Sequence, residues 1–327
     1  MRILSGVQPS GELHLGNYFG AIVQHLALQG QGDALYFIAD YHALTTIQDA
    51  ARLRDLTRDV AATYLALGLD PARATFFRQS DVPEVHELTW LLECVTGMGL
   101  LERAVSYKDK VSRGLKASVG LFTYPALMAS DILIYRSNVV PVGQDQVQHI
   151  EIAQDMAASF NAAFGREVLV RPEARLSEVP KVPGTDGQKM SKSYGNAIPI
   201  FATGKALKKA VNAIVTDSKD PKQEPLDPAT CNAFAIYALF AAPDERDALA
   251  ARYRDDRAFP GYGVTKQAIM QKMDERFGPA RERYEALKRP GSELEDVLRD
   301  GARRARALAQ ETIDACREAT GLGRRLV

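Results

Sequence analysis

The sequence predicts an α/β fold with a parallel sheet in its first half and an all-α second half. Residues 34–39 form a continuous apolar run, as expected for a strand that is buried on both faces. Short strands alternate with helical periodicity as far as residue 164, which is typical of parallel sheets with right-handed crossovers. Beyond residue 193 the strand patterns end and helical patterns follow.

Each element follows from a local pattern. Strands are predicted at residues 2–5, 34–39, 74–77 and 139–140, and helices at residues 15–29, 49–67, 84–95, 119–135 and 144–164. The helix at 49–67 begins with Asp49 and is followed by Gly68 and Pro71, which are typical start and stop signals. In the second half, helices are predicted at residues 230–241, 265–287 and 293–319, and the last carries one apolar stripe. Residues 217–228 are rich in Pro, Asp and Lys and are predicted to form a connecting loop.

Length and composition indicate an ordinary soluble protein. The 327 residues suffice for one large domain and a smaller one. Hydrophobic residues make up 46% and charged residues 25% of the chain, and the apolar runs are too short to span a bilayer. The N-terminus has no signal-peptide pattern. The net charge of zero gives no global signal for nucleic acid, so any RNA contact must come from local patches.

The three cysteines are odd in number and widely separated. This usage argues against a disulfide framework or a metal cluster and favours a reducing cytoplasm. Each of them, Cys94, Cys231 and Cys316, is expected to be a small buried hydrophobe.

Two lysines are the centre of the first candidate motif, at residues 189–193. Lys189 and Lys192 are separated by Met and Ser, and glycines flank the segment on both sides, so it is predicted to be a flexible loop. Lysine is a compact charge on a flexible stem and can follow a polyphosphate. A solvated surface turn would have the same appearance.

A second candidate motif follows the first strand, at residues 8–17. Its glycines and Ser10 allow backbone atoms to approach phosphates, and the helix behind it offers a positive N-terminal end. His14 precedes that helix, where it serves either a structural role or donation to a developing charge. The glycine spacing is not that of a Walker A loop. This loop and residues 40–42 are placed at the carboxyl ends of strands, where such sheets bind ligands.

A third motif, residues 143–146, places Gly143 and Asp145 at a strand-to-helix turn. Such a carboxylate is suited either to a ribose hydroxyl or to capping of the helix.

One predicted helix carries a carboxylate on an apolar face. Tyr124, Met128 and Asp131 follow at i, i+4 and i+7, so they share that face. A buried carboxylate needs a partner, which is either an internal donor such as an arginine or an N–H or O–H of a ligand. A site built in this way can reject an analogue that lacks the donor by about 10⁴–10⁵.

Together these motifs resemble the class I aminoacyl-tRNA synthetases, and within them the bacterial tryptophanyl-tRNA synthetases. The resemblance extends over the whole chain. It is carried by His14-Leu15-Gly16-Asn17 after Gln8-Pro9-Ser10-Gly11 (the "HIGH" motif), by Lys189-Met190-Ser191-Lys192-Ser193 (the "KMSKS" loop), and by residues 127–133, 141–149 and 321–325. The Asp131 helix and Asp40-Tyr41-His42 narrow it to the tryptophan and tyrosine branch.

The resemblance implies a Rossmann-type catalytic domain at residues 1–188 that includes the dimer contacts, and a KMSKS loop with an α-helical anticodon-binding domain at residues 189–320. A basic tail follows at residues 321–327, and the protein is expected to be a cytoplasmic homodimer. The implied reaction is activation of L-tryptophan by ATP with Mg²⁺ to tryptophanyl-adenylate, followed by transfer to tRNA(Trp). No tightly bound, protein-ligated metal is expected.

Site residues carry over position by position. The resemblance assigns catalysis to His14, Asn17, Lys189 and Lys192. It assigns ATP binding to Gln8, Pro9, Ser10, Gly16, Asn17, Gly143, Gln144, Asp145, Val182, Lys189, Met190, Ser191, Lys192 and Ser193. For tryptophan, Asp131 would accept the indole N–H, Tyr124 and Gln146 would hold the α-amino group, and His42 and Met128 would line the pocket. Ser106 differs from the commonest family residue and has no assigned role.

Three alternatives stay open. A tyrosyl-tRNA synthetase would use the carboxylate for a phenol O–H, although residues 8–11 and 143–149 favour tryptophan. A non-catalytic synthetase paralogue is opposed by the intact His14, Lys189 and Lys192. A small-molecule nucleotidylyltransferase would not need the helical second half.

Local basic groups give a hypothesis for RNA binding. They are Lys205, Lys208, Lys209, Arg303, Arg304, Arg306, Arg324 and Arg325, although charged helix positions are also common as solvated surface.

Overall fold

A five-stranded parallel sheet forms the centre of the protein. The structure is a computed structural model and describes residues 1–104, 114, 118–143, 146–176, 181–220, 223–255 and 258–323. The strands are β1 (Arg2–Val7), β2 (Asp33–Ile38), β3 (Ala74–Arg78), β4 (Val139–Val142) and β5 (Glu173–Leu176). Their order is β3-β2-β1-β4-β5, and every neighbouring pair is parallel.

The two faces of the sheet carry separate apolar clusters. Along β2, Tyr36 and Ile38 belong to one cluster, whereas Leu35 and Phe37 belong to the other. This alternation is the two-residue period of a strand. Residues 34–38 are all buried, so the continuous apolar run reflects cover on both faces, as predicted.

The strand order changes sides at β1, which gives the sheet a switch point between β1 and β4. Strands β2 and β3 extend to one side of β1, and β4 and β5 lie on its other side. Ligands of doubly wound sheets bind at such a switch point, outside the carboxyl ends of the strands. The loop after β1 and the turn that begins at Gly143 flank this point. The expected placement of residues 8–17 and 40–42 at carboxyl ends is confirmed.

Helices connect the strands and cover both faces. In the first half these are α1 (Leu15–Asn17), a π-helical segment (Tyr18–Ile22), α2 (Val23–Leu28), α3 (Asp40–Ala43), α4 (Ala50–Ala66), α5 (Glu84–Glu93), α6 (Met98–Glu102), α7 (Val119–Ile134) and α8 (Val147–Phe164). Asp49 caps α4 by accepting the Arg52 N–H at 3.0 Å. Gly165 ends α8 in a left-handed conformation, with φ of 62°.

The second half contains helices and no strand among its described residues. They are α9 (Gly204–Asn212), α10 (Asn232–Ala238), α11 (Pro243–Asp255), α12 (Tyr262–Lys288) and α13 (Leu294–Thr320). The predicted helices correspond to α10, α12 and α13, and the predicted loop at 217–228 contains no helix or strand where it is described. The boundary between two domains at residue 188 stays a prediction.

Helix α13 covers the outer edge of β3. Leu294 and Leu298 pack into the first apolar cluster, whereas Ala305 and Cys316 pack into the second, so the helix passes from one face of the sheet to the other. At the crossing, a Cβ added to Gly301 would lie 1.8 Å from the Phe76 carbonyl oxygen. A covered edge strand cannot pair with another chain.

One expectation needs correction, and one strand was missed. Cys94 is exposed as the residue directly after the end of α5, whereas Cys231 and Cys316 are buried. Strand β5 was not predicted, because its four residues are exposed at the sheet edge and show no apolar alternation.

No described helix is both long enough and apolar enough to cross a membrane.

Candidate active site

The loop after β1 leads into a buried histidine. His14 is 6% exposed, and its backbone N–H donates to Asn17 Oδ1 at 3.1 Å. Backbone hydrogen bonds join Leu15 to Ile198 and Ile200 to Leu13, which fixes the loop against the chain behind the lysine motif. Burial, with a smaller contribution from the nearby Lys192 ammonium, lowers the pKa of His14 to about 4. The imidazole is therefore neutral near pH 7 and can donate one N–H.

Gly16 allows the two loops to touch. Its N–H lies 3.3 Å from Met190 Sδ. An added Cβ would lie 2.9 Å from the His14 ring and 3.3 Å from Met190 Cβ, closer than side chains tolerate. Glycine at this position therefore permits the contact between the first loop and residues 189–193.

The lysine loop is held by a buried asparagine behind it. Asn196 is 2% exposed and accepts the Ser191 N–H at 2.7 Å. Its amide nitrogen donates to Asp186 Oδ1 at 2.7 Å and to the Lys189 carbonyl at 3.2 Å. Residues Lys192–Tyr194 form a short 3-10 turn within the loop. The segment predicted as a flexible loop thus contains a short turn and is held by hydrogen bonds from Asn196.

Lys192 points toward the first loop, and its stem lies against Gly11. A Cβ added to Gly11 would be 3.0 Å from Lys192 Cδ. Burial lowers the pKa of the Lys192 ammonium to about 8, against the opposing effect of the Asp59 and Glu12 carboxylates. Lys189 is exposed. Two cations and a neutral imidazole around a helix N-terminus suit a polyphosphate.

A buried carboxylate lies on the neighbouring part of the sheet edge. Asp131 of α7 is 1% exposed. Gln79 Nε2 donates to its two oxygens at 2.9 and 2.8 Å, and His42 Nε2 lies 2.9 Å from Oδ2. The partner is therefore internal, as one of the two expectations had it, although it is an amide and an imidazole rather than an arginine.

Other predicted residues surround this carboxylate. The Tyr124 ring contacts the His42 ring edge-on at 6.2 Å between centroids, and Tyr124 Oη lies 2.9 Å from His149 Nε2. Gln8 Nε2 donates to the His42 carbonyl at 3.3 Å, which connects the first loop to the Asp131 group. Met128 is partly buried against the apolar cluster beneath.

The remaining predicted residues have the following positions. Ser10 donates its N–H to the Gln8 carbonyl, and Gly143 accepts the N–H of Gln146. Val182 is buried and accepts the Met190 N–H at 2.9 Å. Pro9 is buried, and Ser193 donates its N–H to Ser191 Oγ. Gln144, Asp145, Ser106, Arg324 and Arg325 lie outside the described residues.

Sequence reasoning missed two members of the site. Gln79 follows directly after β3, and this position at a carboxyl end was the available signal. Asn196 gave no signal of its own, because it acts through its contacts with the lysine loop.

The arrangement combines two capabilities. The loops around His14 and Lys192 can bind an anionic polyphosphate, and Asp131 can accept a hydrogen bond from a ligand. Gln8 lies between the two groups. This geometry therefore permits a reaction between a bound polyphosphate and an apolar ligand that carries a hydrogen-bond donor, at one edge of the sheet.

Comparison with known proteins gives one consistent family. Residues 1–278 match the model for "tRNA synthetases class I (W and Y)". A tryptophan–tRNA ligase from Rhodopirellula baltica is 51% identical over 98% of this chain and 100% of its own length. One from Fusobacterium nucleatum is 50% identical over 98% of each chain. The solved tryptophanyl-tRNA synthetase of Campylobacter jejuni, complexed with ADP and tryptophan, is 48% identical with a TM-score of 0.92 over 98% of this chain and 100% of its own.

Proposed function

The chain belongs to the class I tRNA synthetases of the tryptophan and tyrosine branch, and we propose that it is a tryptophan–tRNA ligase. It activates L-tryptophan with ATP to tryptophanyl-adenylate and pyrophosphate, and then transfers tryptophan to the 3′ end of tRNA(Trp). The observation that carries this proposal is the 51% identity, over nearly the whole of both chains, to a tryptophan–tRNA ligase.

The tryptophan pocket is assigned to the Asp131 group. Asp131 accepts the indole N–H, which is a donor-only group. Tyr124 and Gln146 hold the α-amino group, and His42 and Met128 line the pocket. The support is the buried position of Asp131 and the contacts of His42 with both Asp131 and Tyr124.

ATP is assigned to the two loops that meet at Gly16. The first loop provides Gln8, Pro9, Ser10, Gly16 and Asn17. The turn after β4 provides Gly143, with Gln144 and Asp145, for the ribose, and Val182 contacts adenine. Residues 189–193 bind the phosphates. The support is the contact between Gly16 and Met190 and the position of Lys192 against Gly11.

The chemistry of the first step needs no general base, because the carboxylate of tryptophan is already ionised. One of its oxygens forms a bond to the α-phosphorus. The bond between the α-phosphorus and the oxygen that bridges to the β-phosphorus breaks, so the negative charge leaves on pyrophosphate. Catalysis therefore consists of positioning and charge stabilisation. His14 donates from its neutral ring, Asn17 donates its side-chain amide, and Lys189 and Lys192 follow the leaving charge. In the second step a ribose hydroxyl of the tRNA attacks the carbonyl carbon, and AMP leaves.

Magnesium is assigned to the nucleotide. Mg²⁺ keeps several waters and prefers phosphate oxygens, so ATP itself supplies its ligands. Among the described residues, no group of three or more His, Cys, Asp or Glu side chains is arranged to hold a metal ion.

The RNA surface is assigned first to α9, where Lys205, Lys208 and Lys209 are exposed. The arginines of α13 have partners within the chain. Arg306 donates to Glu84 from Nε and from Nη2, with the shortest distance 2.7 Å, and Arg304 donates to the Pro71 carbonyl at 2.8 Å. These two side chains link α13 to α5 and to the segment before β3, and they are weaker candidates for RNA contacts.

We also propose that the protein forms a homodimer. Trp90, Met98 and Val119 are 66%, 62% and 79% exposed. They lie on α5, α6 and α7, and both α5 and α6 pack against α7. Large exposed apolar side chains on adjoining elements indicate an interaction surface.

The overall activity is tested by charging tRNA(Trp) transcripts with labelled tryptophan. We expect charging of tRNA(Trp) with tryptophan and none of tRNA(Tyr) with tyrosine. Charging of tRNA(Tyr) alone would favour the tyrosyl alternative.

A further inference from the structure

The Asp131 carboxylate is held from two sides before any ligand arrives. Gln79 Nε2 bridges both oxygens at 2.9 and 2.8 Å, and His42 Nε2 lies 2.9 Å from Oδ2. An ionised carboxylate accepts about four hydrogen bonds. Capacity therefore remains for one further donor.

The orientation of the Gln79 amide is fixed by the backbone. Gln79 Oε1 accepts the Tyr41 N–H at 3.1 Å, so the oxygen is occupied and the nitrogen must face Asp131. Gln79 is 1% exposed and is the first residue of a 3-10 turn, Gln79–Asp81. Asp40 holds the same turn, since it accepts the Ser80 N–H at 2.9 Å and the Ser80 hydroxyl. The amide therefore has one available orientation.

We propose that Gln79 is a positioning residue for substrate recognition: it fixes the rotation of the Asp131 side chain, so that the carboxylate accepts the indole N–H of tryptophan. This role rests on the proposed function. A buried carboxylate without a fixed donor turns toward other partners, and the N–H of the ligand then loses its acceptor. Gln79 acts through Asp131 and needs no contact with the substrate.

The role differs from that of a merely structural glutamine, and the chain contains one for comparison. Gln29 is 9% exposed, donates to the Gly68 carbonyl at 3.0 Å and accepts the Asp70 N–H at 2.8 Å. Like Gln79, it makes a donating and an accepting bond in a buried position. Its partners lie in the turn after α4, outside the candidate site.

The first experiment compares tryptophan with benzothienylalanine, in which sulfur replaces the indole N–H. The readout is kcat/KM for tryptophan divided by kcat/KM for benzothienylalanine, measured by pyrophosphate exchange. This ratio is compared between the wild type, Gln79→Met and Gln29→Met. We expect Gln79→Met to lower the ratio about tenfold, through a higher KM for tryptophan with little change for the analogue. Gln29→Met should leave the ratio unchanged, whatever stability it loses.

The second experiment uses Gln79→Glu, which keeps the size of the side chain and the oxygen that accepts the Tyr41 N–H. In its protonated form the introduced carboxyl group can donate to Asp131, whereas in its ionised form it repels the Asp131 carboxylate. The other titratable groups facing this pair are His42, His86, Asp40 and Tyr135, and all of them are also present in the wild type.

We therefore expect kcat/KM of Gln79→Glu for tryptophan to approach the wild-type value near about pH 5.5 and to fall relative to it toward about pH 8. A constant ratio between the two enzymes over this range, or an unchanged substrate ratio in Gln79→Met, would overturn the role of Gln79 alone. Absence of tryptophan activation by the wild type would overturn both the proposed function and this role.

Discussion

At the residue scale, Lys192 is a partly buried cation among the candidate catalytic groups. Its stem lies against Gly11, and burial lowers its pKa to about 8 although Asp59 and Glu12 act in the opposite direction. The ammonium form is present below this pKa and is lost as the pH rises through it. Only the charged form pairs with phosphates.

The loss of the Lys192 ammonium with rising pH gives the first prediction. Between about pH 7 and about pH 9.5, kcat/KM for ATP should fall with an apparent pKa near the value of the free enzyme. Lys192→Arg is the control, because arginine stays charged over this range. The variant should be slower but should lack the fall. The same fall in both enzymes would assign it to another group.

Asp131→Asn gives the second prediction. The substitution keeps the shape but replaces a charged acceptor by a neutral amide, and hydrogen bonds to charged groups contribute about 1.5–3 kcal/mol. The KM for tryptophan should rise about tenfold or more, and the KM for ATP should change less than about twofold. Pyrophosphate exchange at varied concentrations measures both. An unchanged KM for tryptophan would remove Asp131 from the pocket.

Residue types and local positions were sufficient to single out His14, Lys192 and Asp131. They were not sufficient for Gln79, whose partner is 52 positions away in the chain. Its importance arises from the neighbouring carboxyl ends of β2 and β3, which place Tyr41 and Gln79 side by side.

At the element scale, the lysine loop depends on Asn196. Removing its side chain frees the Ser191 N–H, the Lys189 carbonyl and Asp186. Asn196→Ala should therefore raise the KM for ATP about tenfold and leave the KM for tryptophan within about twofold. Steady-state kinetics measures both constants.

A matched control is Asn161→Ala. Asn161 is also buried and holds a turn after α8 through Val168, Leu169 and Glu167. This variant should lose stability without a change in the KM for ATP. An equal rise of that KM in both variants would indicate a general loss of structure.

Helix α13 gives the fourth prediction. A methyl group at position 301 would collide with the backbone of Phe76, so Gly301→Ala should lower the free energy of unfolding by about 2 kcal/mol or more. Gly263, in α12, has no atom within 4 Å of an added Cβ, and Gly263→Ala should be neutral or stabilising by up to about 1 kcal/mol. Urea denaturation compares them. Equal stability of the two variants would contradict the close packing of α13 on β3.

Elements that the sequence predicted well are those with a strong apolar pattern. Strand β2 is buried throughout its apolar run, and α13 buries Leu298, Ala305 and Ile313 along one side. Helices α3, α6, α9 and α11 and strand β5 were missed, because they are short, at an edge or rich in charged residues. Such elements form through tertiary contacts rather than local preference.

At the scale of the whole molecule, the two halves share one framework. Both apolar clusters contain residues from before and after the lysine loop. The change from strand patterns to helical patterns in the sequence indicated a change of architecture, but it did not show how closely α13 packs against the sheet.

The proposed dimer gives the fifth prediction. Trp90→Glu places a charge on the exposed face of α5 and should weaken self-association at least about tenfold, as measured by sedimentation equilibrium. Val215 is similarly exposed, at 61%, but follows α9 in the helical half, so Val215→Glu should leave association unchanged. Unaltered association of Trp90→Glu would place the interface elsewhere.

The most direct test of the central claim is amino-acid-dependent exchange of pyrophosphate into ATP, with tryptophan and tyrosine compared side by side. We expect exchange with tryptophan and none with tyrosine at the same concentration. Exchange with tyrosine alone would assign Asp131 to a phenol O–H. No exchange with either amino acid, from folded protein, would contradict the catalytic roles of His14, Lys189 and Lys192.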